Sequence, residues 1–374
     1  MMKSFVMNIV MKLLSWCPSD IGILTGMLQA ISEDPLILCR LFFRSPYTPA
    51  IILSPSQPLL SSPSTPSSPI ATIKEILING VLHSILLRGH SSSLPVILIL
   101  HGGPGATDIP FHSSYGQYLE QHYLLIHYDQ RGACKTGHKY YHQQNFQQTL
   151  TIQQHVDDAI AIAEWIQTNF SGAAEGMYLV GGSWGSMLAL EIVKQRPDLF
   201  LKVLLRGVVT NSPKSEQNGM EFIQNRMKYF HYSDRERNYV STHFSHPYQS
   251  ITHLLKQREY LSSLGGMDYQ TFQASSPLPK WYLTHAMAYS LFKCPEISFS
   301  EIVTMKGCMV QSLQAMWGEV EQADMIKRIR GCVDIPVAVV HGKHDYCTSH
   351  LLVEEFLKTL IAPEKYLIWF HHSG

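Results

Sequence analysis

Short apolar runs separated by helical patterns recur along this chain from residue 70 onward. The runs predict eight strands, at 73–78, 81–87, 96–100, 123–128, 177–180, 203–205, 337–340 and 366–370. The first two flank Asn79-Gly80, a dipeptide typical of two-residue hairpin turns, so we expect them to pair antiparallel. Helical periodicity follows at 152–170 and 186–194. Strands that alternate with helices predict a mostly parallel, doubly wound sheet.

One long segment departs from this alternation. Residues 212–334 keep helical patterns and are rich in Tyr, Phe, Met and His, without the short strand patterns of the rest. A structureless loop of that length is rare in a compact domain. We therefore expect a helical cap over the carboxyl edge of the sheet, where open α/β sheets bind their ligands.

The chain before residue 70 has a different composition. Residues 54–69 are mostly Ser and Pro and predict an extended linker, so the domain core is expected at 70–211 and again at 335–374, after the cap. Residues 1–53 form an apolar extension whose runs are too short to cross a bilayer and lack a signal-peptide pattern. A helical pair packed on the body, a weakly ordered extension and an amphipathic helix on a membrane surface remain open alternatives.

Charge and cysteine content narrow the function classes. Lys plus Arg and Asp plus Glu number 29 each, so nothing favours nucleic acid or an acidic partner, and we expect a small peptide or acyl substrate. The seven cysteines show no disulfide spacing, which favours a reducing, cytoplasmic location, with peripheral membrane association as the alternative. The 19 histidines include no metal-binding pattern, so we expect neither a metal nor another cofactor. The oligomeric state is not predicted.

The strongest chemical motif is Gly181-Gly182-Ser183-Trp184-Gly185, which lies between an apolar strand and a helical pattern. In a nucleophile elbow the chain turns so sharply that the serine backbone is strained, and only glycine fits two positions to either side. The helix that follows directs its positive end at a developing oxyanion. A tight turn without chemistry is the alternative for this motif alone. Ser183 is the predicted nucleophile.

Two further turns provide candidate partners for that serine. His101-Gly102-Gly103-Pro104-Gly105 ends the strand at 96–100, and we expect the amides of Gly103 and Trp184 to form an oxyanion hole. A loop that merely needs positive φ angles is the alternative. Asp345 follows the strand at 337–340 and is the predicted acid, because the acid follows the serine along the chain in this type of site. The alternative for Asp345 is an N-cap of the helix near Ser349.

Together with Asp129-Gln130-Arg131-Gly132, these motifs resemble the prolyl aminopeptidase branch of the α/β-hydrolases, peptidase family S33. The resemblance covers residues 70–374. It implies an α/β-hydrolase fold, with an eight-stranded, mostly parallel sheet and a helical cap insertion. It also implies a serine hydrolase that forms an acyl-enzyme and acts on short peptides with an N-terminal proline or another small residue.

The resemblance implies roles for individual residues. Ser183 would be the nucleophile, Asp345 the acid, and Trp184 with Gly103 the oxyanion donors. The branch binds the free amino terminus of its substrate with cap glutamates, because a buried ammonium needs a carboxylate. Glu319 is the candidate, and a charged helix face is its alternative. In the Asp129-to-Gly132 turn we expect a structural ion pair between the aspartate and the arginine, because arginine is always charged and cannot act as a base.

The end of the sequence departs from the branch. In the members of that branch, the last strand leads into the motif Ser/Ala-Gly/Ala-His. Ser373-Gly374 matches this motif up to the histidine, which we expect immediately after Gly374. We expect a fragment of an active hydrolase. The alternative is a natural chain without the base, either feeble with His372 as a substitute or a non-catalytic binding protein. Within the enzymes, an esterase, lactonase or thioesterase is the alternative to an aminopeptidase.

Overall fold

The sheet dominates the computed structural model, which describes residues 69–112, 116, 118–277 and 289–373. Eight strands lie in the order β1-β2-β4-β3-β5-β6-β7-β8. Their bounds are Ile70–Ile78 (β1), Val81–Gly89 (β2), Val96–Leu100 (β3), Leu124–Tyr128 (β4), Met177–Gly182 (β5), Phe200–Arg206 (β6), Val337–Gly342 (β7) and Lys365–Phe370 (β8). The predicted strands and the predicted fold class are confirmed. The predicted extension at 1–53 and nearly all of the linker at 54–69 lie outside the described residues.

Strand direction follows from the connections. The turn at Asn79-Gly80 has φ angles of 47° and 75°, the two positive values that a tight hairpin of this kind needs, and β1 pairs antiparallel with β2. β2 also pairs antiparallel with β4. The pairs from β4 through β3, β5, β6 and β7 to β8 are all parallel. Parallel strands present their carboxyl ends at one edge, and the three predicted catalytic turns follow β3, β5 and β7.

Helices of the first half cover the sheet. They are Cys134–Tyr140 (α1), Ile152–Asn169 (α2) and Trp184–Gln195 (α3). Residues at helical spacing on α2, among them Val156, Ala159, Ala163 and Ile166, are buried in one core with Leu188 of α3 and the inward side chains of the strands. Burial of such a stripe is worth about 1.5–3 kcal/mol per large aliphatic side chain, so this face holds the sheet and helices together.

The insertion between β6 and β7 is helical in its described part. It contains Ser212–Tyr229 (α4), Asp234–Phe244 (α5), Ile251–Ser263 (α6), Tyr269–Gln273 (α7), Phe299–Val320 (α8) and Met325–Arg328 (α9). Ser233 and Ser298 begin α5 and α8 with reciprocal capping boxes. A separate apolar cluster around Ile223, Val240 and Leu261 joins α4, α5 and α6. The boundaries at 211/212 and 334/335 remain a prediction.

The last strand is covered less fully than the others. One more helix, Val353–Thr359 (α10), connects β7 to β8. On one face of β8, Tyr366, Ile368 and Phe370 are each about half exposed, at 51%, 50% and 53%.

Among the residues described, no helix is long and apolar enough to cross a membrane.

Candidate active site

Ser183 occupies a strained turn between β5 and α3. Its backbone angles are φ 51° and ψ −121°, a combination that costs a non-glycine residue free energy. A Cβ added to Gly185 would lie 2.3 Å from the Leu100 carbonyl oxygen, and one added to Gly181 would lie 2.3 Å from the Gly185 oxygen. Neither position can carry a side chain without moving backbone. The geometry is that of a nucleophile elbow.

Hydrogen bonds anchor this turn to the end of β6. The Ser183 amide donates to the Arg206 carbonyl at 2.9 Å, and the Ser183 carbonyl accepts from the Ser186 hydroxyl at 2.6 Å. The Ser186 hydroxyl in turn accepts from the Val209 amide at 2.9 Å. Ser183 is partly exposed, whereas both of its neighbours along the chain are buried. The serine is thus held rigidly by its backbone while its side chain can meet a ligand.

The glycine-dense turn after β3 lies directly against the elbow. A Cβ added to Gly102 would lie 3.6 Å from the Ser183 Cβ. Gly103 has φ +138°, and a Cβ there would lie 2.6 Å from the Gly105 amide nitrogen, so this position also requires glycine. The structure therefore brings the turn that carries Gly103 next to the elbow that carries Trp184. Both predicted oxyanion donors are backbone groups of these adjoining turns.

A buried side chain that the sequence analysis did not single out links the two turns. The Trp184 indole donates to the Gln130 side-chain oxygen at 2.8 Å. The Gln130 side-chain nitrogen donates to the His101 carbonyl, and the Gln130 amide donates to His101 Nε2, both at 3.0 Å. The only signal in the sequence was the position of Gln130 inside the turn at 129–132. Its amide side chain supplies one acceptor and one donor, which is what two separate turns need.

The predicted ion pair between Asp129 and Arg131 is wrong. Arg131 donates to both carboxylate oxygens of Asp158 on α2, at 2.9 Å each, and Asp129 accepts from the Thr107 hydroxyl at 2.6 Å instead. The turn directs these two side chains apart. Burial alone would raise the pKa of Asp158, but hydrogen bonds from His83 and Arg131 outweigh it and hold that pKa well below the usual range.

Asp345 lies in a turn that directly follows β7. Its Oδ1 accepts from the Cys347 and Thr348 amides at 2.8 and 2.9 Å, and its Oδ2 accepts from the Thr348 hydroxyl at 2.7 Å. A Cβ added to Gly207 would lie 3.4 Å from Oδ2. Gly207 follows Arg206, whose carbonyl binds the Ser183 amide. The structure thus places Asp345 and Ser183 at the ends of β7 and β5, on either side of β6. The short helix nearby has Ser349, not Asp345, at its N-cap.

The imidazole of His341 lies beside this acid. His341 Nε2 lies 3.6 Å from Asp345 Oδ2, and His341 Nδ1 accepts from the Val208 amide at 3.2 Å. Burial lowers the pKa of His341, and the Asp345 charge opposes this effect. The His372 ring packs against Tyr269 of the insertion, with 4.8 Å between ring centres. The chain near its end runs beside the acid turn, because Ser373 accepts from the His344 amide at 3.0 Å.

Glu319 lies away from these turns. Its side chain is 53% exposed, and its carboxylate accepts from Arg328 at 2.9 Å. Arg328 also binds Glu191 of α3, so the three residues form a surface cluster between α8 and α3. These contacts lend no support to a role of Glu319 in binding the substrate's amino group. They match the alternative of a charged helix face.

Helix α8 of the insertion packs onto the glycine turns. The Ser312 hydroxyl donates to the Gly132 carbonyl at 3.2 Å, and a Cβ added to Gly105 would lie 2.7 Å from the Ser312 Cβ. Lys135 of α1 binds Glu301 near the start of α8 at 2.8 Å. The insertion is therefore fastened to the same turns that the proposed oxyanion donors belong to.

The described part of the chain offers no candidate metal site, and Cys134 offers no reactive thiol. No group of three or more His, Cys, Asp or Glu residues there could hold a metal ion. The five described cysteines are free thiols. Burial raises the pKa of Cys134 well above its ordinary value, so it lacks the thiolate character of a reactive cysteine.

Relatives with assigned names resemble this chain at modest identity. A protein of Bacillus subtilis (strain 168) named "Probable aminopeptidase YbaC" is 26% identical over 310 residues, which are 82% of this chain and 91% of that protein. The "Probable proline iminopeptidase" of Leptolyngbya boryana is 32% identical over 133 residues, 34% of this chain and 36% of that protein. These names agree with the resemblance to the prolyl aminopeptidase branch.

Solved structures and a family match settle the fold. The proline iminopeptidase of Mycobacterium smegmatis aligns with a TM-score of 0.53 at 16% identity, over 81% of this chain and 91% of that chain. A proline iminopeptidase-related protein of Thermus thermophilus aligns with a TM-score of 0.52 at 17% identity, over 80% of this chain and 89% of that chain. Residues 95–368 match the family described as alpha/beta hydrolase fold. With its eight-stranded sheet and nucleophile elbow, the chain belongs to the α/β-hydrolase fold family.

Proposed function

We propose that this protein is a serine hydrolase that works through an acyl-enzyme, with Ser183 as the nucleophile. The observation that carries the proposal is the strained backbone of Ser183 at φ 51°, held between two positions that admit only glycine. Strain of this kind persists only where the surrounding structure enforces it, and it is concentrated at functional sites. A serine in a surface turn would not need it.

In the proposed reaction the Ser183 hydroxyl oxygen attacks a carbonyl carbon while its proton passes to a base. The amides of Trp184 and Gly103 would donate to the oxyanion of the tetrahedral intermediate, and removal of one such donor typically costs about 10²–10³ in rate. The intermediate collapses, the leaving group takes the proton, and water then hydrolyses the ester on Ser183. Asp345 would hold the base in the required tautomer and stabilise its charged form.

The base of this mechanism is not His341. Its Nδ1 lone pair already accepts from the Val208 amide, and in the neutral ring the proton is therefore on Nε2, toward Asp345. A ring bound in this way has no lone pair with which to take the proton of Ser183. The resemblance implies that the base is a histidine other than His341. The described end of the chain lies beside the acid, because the Ser373 carbonyl accepts from the His344 amide, next to Asp345.

For the substrate we propose a short peptide with a free amino terminus. This part rests on the names of the relatives in Bacillus subtilis and Leptolyngbya boryana. The buried carboxylate of the insertion at Glu216 is already bound by Arg258 and by the Tyr248 hydroxyl, so it is not free to bind an amine. An ester or thioester substrate would use the same nucleophile and the same oxyanion donors.

Labelling with a fluorophosphonate probe tests the nucleophile. The full-length protein is compared with its Ser183→Ala variant and with Ser171→Ala, an exposed serine, as the matched control. We expect the full-length protein and its Ser171→Ala variant to be labelled, and Ser183→Ala to abolish the signal. Labelling that survives Ser183→Ala, or no labelling of any form, would contradict the proposal.

Substrate preference is tested on unlabelled protein from a preparation that reacts with the probe. Proline and alanine arylamides with a free amino terminus are compared with the same arylamides acetylated at nitrogen and with aryl esters of short acids. An aminopeptidase should lose at least tenfold in kcat/KM on acetylation, about 1.4 kcal/mol of transition-state stabilisation. Faster turnover of the esters, without loss on acetylation, would instead support the esterase alternative.

A further inference from the structure

A second imidazole lies beside the proposed catalytic acid without serving as its base. His341 ends the inward-facing row of β7 and has a fully buried side chain. Its Nε2 lies 3.6 Å from Asp345 Oδ2 and makes no hydrogen bond within the described part of the chain. A buried donor without a partner costs about 1–3 kcal/mol, so this arrangement needs a physical reason.

The backbone determines which nitrogen carries the proton. The Val208 amide is a donor and lies 3.2 Å from His341 Nδ1, so Nδ1 must present its lone pair. The neutral ring therefore carries its single proton on Nε2, directed at the carboxylate. Val208 follows Gly207, where an added Cβ would lie 3.4 Å from Asp345 Oδ2. The end of β6 thus sets both the tautomer of His341 and the space around the acid.

Most of the other groups near this pair act on different atoms, and the Thr348 hydroxyl shares Oδ2 with His341. Cys347 and Thr348 donate to the carboxylate through their amides and the threonine hydroxyl. His350 bonds the backbone carbonyl of Asp345 at 3.0 Å through Nδ1, and its charge and the Thr348 backbone also act on the His341 ring. The Lys343 ammonium is 3.6 Å from the centre of the Trp369 ring. His341 is therefore the one side chain from β7 itself that addresses Oδ2.

We propose that His341 is a positioning residue for Asp345, in the Nε2-protonated form. The inference rests on the proposed function, because it assigns His341 a task only if Asp345 is the acid. The separation of 3.6 Å is slightly longer than a hydrogen bond, and contacts of catalytic groups often shorten when the site is occupied. Its donor would hold Oδ2 toward β7, together with the Thr348 hydroxyl that donates to the same oxygen at 2.7 Å. Asp345 would then be aimed by two elements, its own turn and the end of β6.

The tautomer is tested first on the unaltered 374-residue chain. We expect ¹⁵N NMR of labelled histidine to show an unprotonated Nδ1 and a protonated Nε2 for His341 near neutral pH. Assignment comes from the spectrum of His341→Asn. Asp345→Asn should make the His341 ring about tenfold harder to protonate, because an opposite charge at this distance favours the charged imidazole. A proton on Nδ1, or titration unchanged by Asp345→Asn, would overturn the proposal.

Two variants then separate positioning from packing. His341→Asn keeps an acceptor for the Val208 amide and loses the donor to Asp345, whereas His341→Gln can place its amide nitrogen where Nε2 was. With ¹³C-labelled aspartate, we expect the Asp345 carboxyl resonance to move in His341→Asn and to stay near the wild-type position in His341→Gln. Equal displacement in both, with similar melting temperatures, would mean that His341 merely fills space.

This outcome is independent of catalysis. Both NMR measurements read the two side chains directly and need no turnover. If the resonances behave as expected but Ser183 is never labelled, the contact stands and the hydrolase proposal fails. If Ser183 is labelled while His341 carries its proton on Nδ1, the hydrolase stands and the positioning role fails.

Discussion

The nucleophile turn and the acid turn end neighbouring parts of the same sheet, yet different forces hold them. Around Ser183, backbone atoms leave no room: Cβ atoms on Gly181 or Gly185 would each lie 2.3 Å from a carbonyl oxygen. Around Asp345, the carboxylate is held by hydrogen bonds to Cys347 and Thr348, with His341 close by. The first turn is defined by excluded volume, and the second by polar contacts.

The difference indicates how each turn should respond to change. Steric exclusion by backbone cannot relax without moving a strand, so a single added methyl is felt in full. Several hydrogen bonds to one carboxylate each contribute part of its stabilisation, and loss of one leaves the others in place. The support of the nucleophile turn should therefore fail abruptly, while the acid turn should weaken by degrees.

The largest effect is expected at the buried ion pair behind the nucleophile turn. Arg131, next to Gln130, is held by Asp158, whose side chain is 1% exposed. Asp158→Asn would leave the guanidinium without its charge partner and should lower the free energy of unfolding by about 3–5 kcal/mol near neutral pH. Urea denaturation measures the difference. Asp157→Asn, at the exposed neighbouring position, is the control and should change stability by less than about 0.5 kcal/mol.

The same pair predicts a pH dependence. The pKa of Asp158 is depressed in the folded protein, so its contribution is fully present above the unfolded pKa of about 3.9 and is lost as the pH falls through the folded value. The stability gap between wild type and Asp158→Asn should stay constant from neutral pH to about pH 5 and narrow below about pH 4. A gap that persists unchanged in acid would point to packing instead of charge.

The next effect concerns the elbow itself. Gly185→Ala would place a methyl 2.3 Å from the Leu100 oxygen and 2.7 Å from the His101 oxygen, both backbone atoms. We expect a loss of about 3 kcal/mol, together with loss of probe labelling at Ser183. Thermal unfolding measures the loss of stability. The control is Gly318→Ala on α8, where no atom lies within 4 Å of an added Cβ and alanine should stabilise the protein by about 0.5–1 kcal/mol. Equal changes in stability in the two variants would mean that steric exclusion does not hold the nucleophile turn.

The smallest effect is expected in the acid turn. Thr348→Val removes the hydroxyl that donates to Asp345 Oδ2 at 2.7 Å but keeps the two backbone donors to Oδ1. We expect a loss of about 1 kcal/mol in the free energy of unfolding, with the fold intact. Thr168→Val, whose hydroxyl bonds a carbonyl on an exposed helix face, is the control. A loss as large as that of Gly185→Ala would mean that the acid turn is as rigid as the elbow.

Much of the fold could be predicted because its signals are local. Each strand is a short apolar run, the hairpin needs two positive φ angles that Asn79-Gly80 accepts, and the elbow needs glycine on both sides of Ser183. The proximity of Gly103 to Trp184 could also be predicted from the sequence, because both turns follow parallel strands of one sheet. Roles for these residues still await the labelling experiment.

The hydrogen-bond and ion-pair partners of side chains could not be predicted from the sequence in the same way. Arg131 has an aspartate two residues away, yet it pairs with Asp158 across the domain, and Glu319 resembles an amine-binding residue but lies on the surface with Arg328. Gln130 contacts His101 and Trp184 only because folding brings their three turns together.

By itself the sequence determined the strands, the helices and the strained serine, because these follow from steric rules within a few residues. The tertiary structure alone decided which charges meet, which helix of the insertion covers the glycine turns, and that His341 lies beside Asp345. Such contacts depend on the directions in which distant segments approach each other. Those directions result from packing of the whole sheet and its helices, and no short window of residues contains them.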